Sequence, residues 1–244
     1  GTLDIGFGSG PSMGYAAKGV PAIAVAALAS EPRNMSLVVM KDGPIKTIDD
    51  LKGKRIGVTT AGSLTDWLTR RLSESKGWGP NGIEVTPMGE MRTRLAAMKS
   101  GELAGSVNSI QETWNLVENG EGRLLATFGD AVPHFHTHVI YAHRNLIKTN
   151  PDLLRTFLRA WFTTAKFMKD NRAETVKIIA ATMQIPEKVI DLSYDYEMQM
   201  LSMDGAFNPQ AIEIIRHSLK DLDILDRVPE ASELFQPGFA PVKL

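Results

Sequence analysis

Apolar and polar positions follow two rhythms along the chain. Short apolar runs with strand character occur at Leu3-Asp4-Ile5-Gly6-Phe7, Ala22 to Ala29, Leu37 to Met40, Arg55-Ile56-Gly57-Val58-Thr59, Ile83-Glu84-Val85, Leu103 to Val107 and Leu124 to Phe128. Between them lie segments with helical spacing. Leu64, Trp67, Leu68 and Leu72 form one stripe of a helix over Leu64 to Ser75, Met91, Leu95 and Met98 mark a second ending near Gly101, and a third spans Ile110 to Val117. The turn Gly8-Ser9-Gly10-Pro11 leads into a short helix from Ser12 to Lys18, closed by Gly19, because glycine takes the left-handed C-terminal position without steric cost. Thr47 caps a single helical turn that Gly53 ends. Strand and helix in strict turn predict parallel α/β layers.

After a strand from His138 to Ala142 the pattern becomes almost wholly helical. Asn150-Pro151 and Asn208-Pro209 each put a capping residue before a proline at the first helical position. Leu154, Leu158, Trp161, Ala165 and Met168 follow the first, and Ile212, Ile215, Leu219 and Leu222 the second, at helical spacing. Late helices of this kind must cover a sheet made earlier, so the two ends of the chain are expected to share a domain, residues 1–34 with 134–244. Residues 35–133 then form a second domain inserted into the first.

Composition narrows the classes. The 244 residues are 43% hydrophobic and 23% charged, globular proportions, enough for one large domain or two modest ones. The longest apolar run, Ala22 to Ala29, is far short of the ~20 residues of a membrane helix. Lys+Arg 27 against Asp+Glu 28 leaves net −1, so no overall field draws the chain to nucleic acid or anionic lipid. The absence of Cys removes disulfides, zinc-thiolate sites and Cys nucleophiles, and leaves the compartment open. No signal peptide is visible in the first residues, which enter a strand at once.

Candidate chemistry begins with two strand–turn–helix junctions. A helix N-terminus has four unpaired backbone N–H groups and about half a positive charge, directed into the crevice at a strand's carboxyl edge. The turns Gly8-Ser9-Gly10-Pro11 and Ala61-Gly62-Ser63-Leu64-Thr65 offer this arrangement. Gly10 and Gly62 would let a ligand approach the backbone, and Ser9, Ser63 and Thr65 would add hydroxyls. Ser63 or Thr65 capping its own helix is the alternative. His134, His136 and His138 alternate, so three imidazoles could face a metal from one side of a strand, but no fourth ligand lies near; no metal and no cofactor is expected. Glu112 has no nucleophile placed beside it, and no catalytic residue is assigned. Arg92, Arg94 and Lys99 read as a solvated helix face, and Trp114 as core, rim or a stacking surface.

Several segments in order carry a family resemblance: Asp4-Ile5-Gly6-Phe7, Ala16-Ala17-Lys18-Gly19-Val20-Pro21, Leu37-Val38-Val39, and above all Ile45-Lys46-Thr47-Ile48-Asp49-Asp50-Leu51-Lys52-Gly53-Lys54-Arg55-Ile56-Gly57-Val58. Later come Leu95-Ala96-Ala97-Met98-Lys99-Ser100-Gly101-Glu102, Pro133-His134, and Phe157-Leu158-Arg159-Ala160. The chain resembles the nitrate/sulfonate/bicarbonate-type substrate-binding proteins of bacterial ABC importers, the group related to thiamine-pyrimidine-binding proteins. The resemblance implies a two-lobed α/β periplasmic binding protein type II fold, joined by two crossing strands, with a small solute held between the lobes. It implies delivery to an ABC permease in the inner membrane, a periplasmic location, a monomer, and no enzymatic activity. Relative to that family the first β-α-β-α stretch is absent here. Asn108 and Gln111 fall where the family places pocket residues, Met88 at a possible apolar wall, and His134 where a pocket hydrogen bond is expected. Two alternatives stay open: an enzyme on the same fold, of the menaquinone-pathway type, and the effector domain of a transcriptional regulator.

Overall fold

A computed structural model describes residues 3–129, 131, 132 and 134–244. The chain separates into two compact units, one made of Gly1–Glu31, His134–Arg172 and Met200–Leu244, the other of Pro32–Pro133 and Ala173–Gln199. Residues 32–34 and 173–199, which the hydrophobic pattern put with the outer domain, group with the second unit. Helical periodicity shows that a segment buries one face; it does not say against which sheet.

The first unit is built on three strands, β1 (Ile5–Ser9), β2 (Ala22–Ala29) and β8 (His138–His143), in the order β1-β8-β2. Both pairings are antiparallel, with Ile5 and Ile23 each opposite Ala142. The expected parallel layer is therefore not found in this unit, because the strand that completes the sheet comes from far down the chain and enters between the first two. The helix expected over Ser12 to Lys18 is a 3-10 turn, Pro11–Met13, followed by the four-residue α1 (Gly14–Ala17). The long α6 (Pro151–Asp170) starts as its sequence predicts: Asn150 accepts the Leu153 amide at 3.2 Å and Pro151 occupies the first turn. Its stripe of Leu154, Leu158, Phe162 and Ala165 is buried, and the first three pack with Val25, Ala26, Ile140 and Ala142. α9 (Pro209–Asp221) repeats the device, with Asn208 accepting the amides of Gln210 and Ala211. α5 (Arg144–Thr149) and α10 (Ala231–Leu234) complete this unit.

The second unit carries a five-stranded sheet ordered β5-β4-β6-β3-β7, formed by β3 (Met35–Met40), β4 (Arg55–Val58), β5 (Glu84–Pro87), β6 (Gly105–Ser109) and β7 (Gly122–Thr127). β4 pairs in parallel with β5 and with β6, while β3 runs against β6 and β7. α2 (Leu64–Ser75), α3 (Met91–Lys99) and α4 (Ile110–Glu118) follow β4, β5 and β6 in turn, and α7 (Arg172–Met183) and α8 (Glu187–Met200) come later. Ile56, Val58, Leu64, Trp67, Leu68 and Leu72 are buried in the core that holds β4 against α2. The chain leaves β4 toward β5 on one side, then returns past it to β6 on the other. That reversal makes the carboxyl ends of β4 and β6 a topological switch point, where open α/β sheets form a crevice.

Candidate functional site

A cavity of about 380 Å³ opens at those strand ends in the second unit. Thr59 and Thr60, just past β4, Val107, Asn108 and Ser109 from β6, and Thr65, Arg94 and Glu112 from the helices line it. Three helices, α2, α3 and α4, therefore begin at one crevice.

At α2 the cap is internal. The Ser63 hydroxyl accepts the Asp66 amide at 3.4 Å, and the Gly62 amide donates to the Asp66 carboxylate at 2.9 Å. Asp66, buried in the first turn, also holds Arg70 at 2.6 Å. Thr59, Ser63 and Thr65 close a ring of hydroxyls 2.9–3.0 Å apart, and the Thr59 amide donates to the Thr65 hydroxyl at 3.0 Å. Ser63 and Gly62 thus serve their own helix. The amides of Leu64 and Thr65, the first two of α2, have no hydrogen-bond partner among the described residues and retain the donor character of a helix start.

At α4 a capping box forms: Ser109 accepts the Glu112 amide at 3.3 Å, and the Ser109 amide donates to Glu112 Oε2 at 3.1 Å. Asn108 is 2% exposed, and its Oδ1 accepts from Arg94 Nη2 and from the Ser106 hydroxyl, both at 2.8 Å. Two donors on one atom fix the amide's orientation, so its NH₂ group is the free side, and it has no partner among the described residues. Gln111, by contrast, donates to Glu197 of α8 at 2.7 Å. Asn34 reaches both oxygens of the same carboxylate at 3.2 Å. Burial pushes the Glu197 pKa up, against those two amide hydrogen bonds. Met88 packs against the cluster of Val38, Ala97, Met98, Leu103 and Leu116 and does not line the cavity.

Arg94 corrects the sequence reading. It is 2% exposed, not on a solvated helix face, and donates to the Gly89 carbonyl at 2.5 Å as well as to Asn108. Glu112 stands 3.8 Å from its Nη2. Burial pulls the Arg94 pKa down, and Glu112 and then Glu90 oppose that. Its Nε is buried with no partner among the described residues. The run of Arg92, Arg94 and Lys99 is helical, but side chains at i and i+2 point to different faces, so one of three basic residues can turn inward without breaking the pattern.

The first unit treats its own candidates differently. The Gly10 amide donates to the Thr137 carbonyl at 3.2 Å, and a Cβ at Gly10 would lie 2.2 Å from the His136 carbonyl oxygen. The Ser9 hydroxyl is 2.9 Å from that of Ser12, and the Ser9 carbonyl accepts from Tyr141 at 3.0 Å. His134 is exposed, with φ at 59°; Pro133, quoted with it as a motif, lies outside the described residues. His136 is 3% exposed and T-shaped against Phe207, with centroids 5.6 Å apart. Its Nε2 accepts the Asn208 amide at 2.9 Å, which leaves Nδ1–H to donate to the Ala29 carbonyl at 3.4 Å. Burial lowers its pKa, and that of His138. Among the described residues no group of three or more His, Cys, Asp or Glu could hold a metal ion.

Residues 1–184 match the family described as NMT1/THI5 like. The chain belongs to that family. Among solved structures it is similar to the periplasmic aliphatic sulphonate binding protein SsuA from Escherichia coli, with a TM-score of 0.82 and 19% identity over 100% of this chain and 78% of that one. It is similar as well to the desulfurization enzyme DSZB, with a TM-score of 0.70 and 15% identity over 96% of this chain and 83% of that one. These likenesses show a periplasmic binding protein fold. A Haemophilus influenzae protein whose name associates it with thiamine biosynthesis is 26% identical over 132 residues, 54% of this chain. That match spans 41% of the curated relative's length. Among the described residues no helix is long and apolar enough to cross a membrane.

Proposed function

We propose that the protein is an extracytoplasmic solute receptor that captures a small organic solute and delivers it to an ABC-type permease, acting in the periplasm as a monomer. The observation that carries this is the crevice at the β4 and β6 ends, where Thr65, the Asn108 amide group and a buried Arg94 line about 380 Å³ of space. That volume suits a small molecule, and its polar groups are few and fixed by their neighbours. Thr65 and Asn108 are the proposed contacts in this unit; Gly62 and Ser63 shape the turn, and Gln111 contributes through its bond to Glu197. Ser9, Gly10 and His134 are proposed contacts of the first unit, through side chain or backbone, beyond the bonds already described.

A ligand that binds only the native state raises its stability, by ~2.7 kcal/mol at a hundred times the dissociation constant. A thermal-shift screen with sulfonates, carboxylates, amides and nitrogen heterocycles should raise the melting temperature for one chemical class. If no member of that library shifts it, the receptor reading fails. An enzyme on the same fold is the second reading, supported by the likeness to a desulfurization enzyme. Mass spectrometry of the stabilising compound after overnight incubation separates the two: a receptor returns it unchanged.

A further inference from the structure

Three helices begin at the second unit's crevice, and each already carries an acid at its start: Asp66 in the first turn of α2, Glu90 at the N-cap of α3 and Glu112 in the first turn of α4. A carboxylate at that position answers the positive end of its own helix. The buried cation at this crevice, Arg94, faces Glu112 at 3.8 Å, and both Glu112 and Glu90 stabilise its charge. Its Nη1 and Nη2 are taken by Gly89 and Asn108. So the charges that attract an oxyanion, those of the helix ends and the guanidinium, each face a carboxylate of the same unit, although the first amides of α2 keep their hydrogens unpartnered among the described residues. What remains open to a ligand is of two kinds. The Asn108 NH₂ group, on a side chain 2% exposed, offers hydrogens, as does the Thr65 amide at the start of α2. Glu112, whose Oε2 is held by the Ser109 amide, keeps Oε1 without a hydrogen-bond partner among the described residues.

We infer that this crevice takes an uncharged or cationic head group that presents an acceptor beside a donor, a carboxamide or an amidine, and that it rejects a sulfonate. The acceptor faces Asn108 and the donor faces Glu112. This rests on the receptor reading above and specifies its ligand. A sulfonate placed here would meet Glu112 and Glu90 with no unanswered cation, and like charges brought together in an interface are strongly disfavoured.

Benzamide, benzamidine and benzenesulfonate share one ring and differ only in the head group, so calorimetric titration of the full chain with each isolates the choice. The expected result is benzamide or benzamidine binding at least about tenfold tighter than benzenesulfonate. Glu112→Gln should then narrow the gap between benzamidine and benzenesulfonate by about fivefold, an effect of the size one partly exposed charge supplies. Asn108→Leu should weaken all ligands that use the crevice. Tighter binding of benzenesulfonate, with Asn108→Leu still weakening it, would overturn the inferred head group and leave the receptor reading standing. Binding of any probe that Asn108→Leu leaves unchanged would overturn the inferred site and head group together. Failure of all three probes at millimolar concentration would overturn the inferred head group, while the broader thermal-shift screen decides the receptor reading by itself.

Discussion

The two strand-end turns, nearly alike in sequence, are built for different ends. Gly8-Ser9-Gly10-Pro11 opens onto three residues of 3-10 helix, and its Gly10 amide is bonded to Thr137. Ala61-Gly62-Ser63-Leu64-Thr65 opens onto a helix of 12 residues that leaves the Leu64 and Thr65 amides without partners among the described residues. The same small, polar composition therefore yields a tightly packed corner in one unit and a donor-bearing rim in the other. A turn's chemistry depends on the length of the helix behind it and on what presses against its backbone.

The sharpest way to test that contrast is to add one methyl group to each glycine. Gly10→Ala would put Cβ 2.2 Å from a backbone oxygen that cannot swing aside. It should cost ~3 kcal/mol or more, as overpacking does at rigid sites. Gly62 has φ of 72°, so Gly62→Ala is expected to cost the ~1–2 kcal/mol of a left-handed alanine. Urea unfolding of both variants measures the difference; equal losses would mean the two corners are packed alike.

Next in size is Arg94→Met. The substitution keeps the length of the side chain and removes the donors to Gly89 and Asn108. Bonds from a charged donor contribute ~1.5–3 kcal/mol each, so a loss of ~2–3 kcal/mol in urea unfolding is expected after the methionine's own burial is credited. A surface arginine would lose almost nothing.

The smallest effect is a dependence on pH to which the first unit's histidines contribute. With a folded-state pKa below the ordinary value, His136 is favoured neutral in the native chain. Stability from it is complete above about pH 6.5 and declines as pH falls below that, because the unfolded chain takes up the proton first. His138 acts in the same direction. Glu197, whose pKa is raised, acts oppositely in a lower window: between its folded value and the ordinary 4.5, acidification relieves a buried charge. Melting temperature should therefore fall from about pH 7.5 to about pH 5.5, and His136→Gln should flatten that fall. An identical slope in the variant would mean His136 does not titrate as its burial requires.

Much of this was legible in the residues. The strand Ala22–Ala29 and the helix Leu64–Ser75 coincide with the periodicity, and Asn150 and Asn208 cap the helices they precede. These signals are local, and local chemistry decides them. What stayed hidden was non-local. No pattern says that β8 enters between β1 and β2, or that residues 173–199 leave the unit that the rest of the C-terminal third joins. In the candidate site, Thr65 and Asn108 were readable as residues following strand ends. Arg94 was not, since its burial depends on Asn108 and Gly89 arriving from other elements. Its place as the fourth residue of a helix that starts at a strand end was the one available hint.

The three acids at the starts of α2, α3 and α4 differ in how firmly each is built in. Asp66 bonds an amide and an arginine, and Glu112 completes a capping box, so neither can change without loosening its helix. Glu90 makes no side-chain capping bond. A single exchange there would change the polarity of the recess without removing a capping bond.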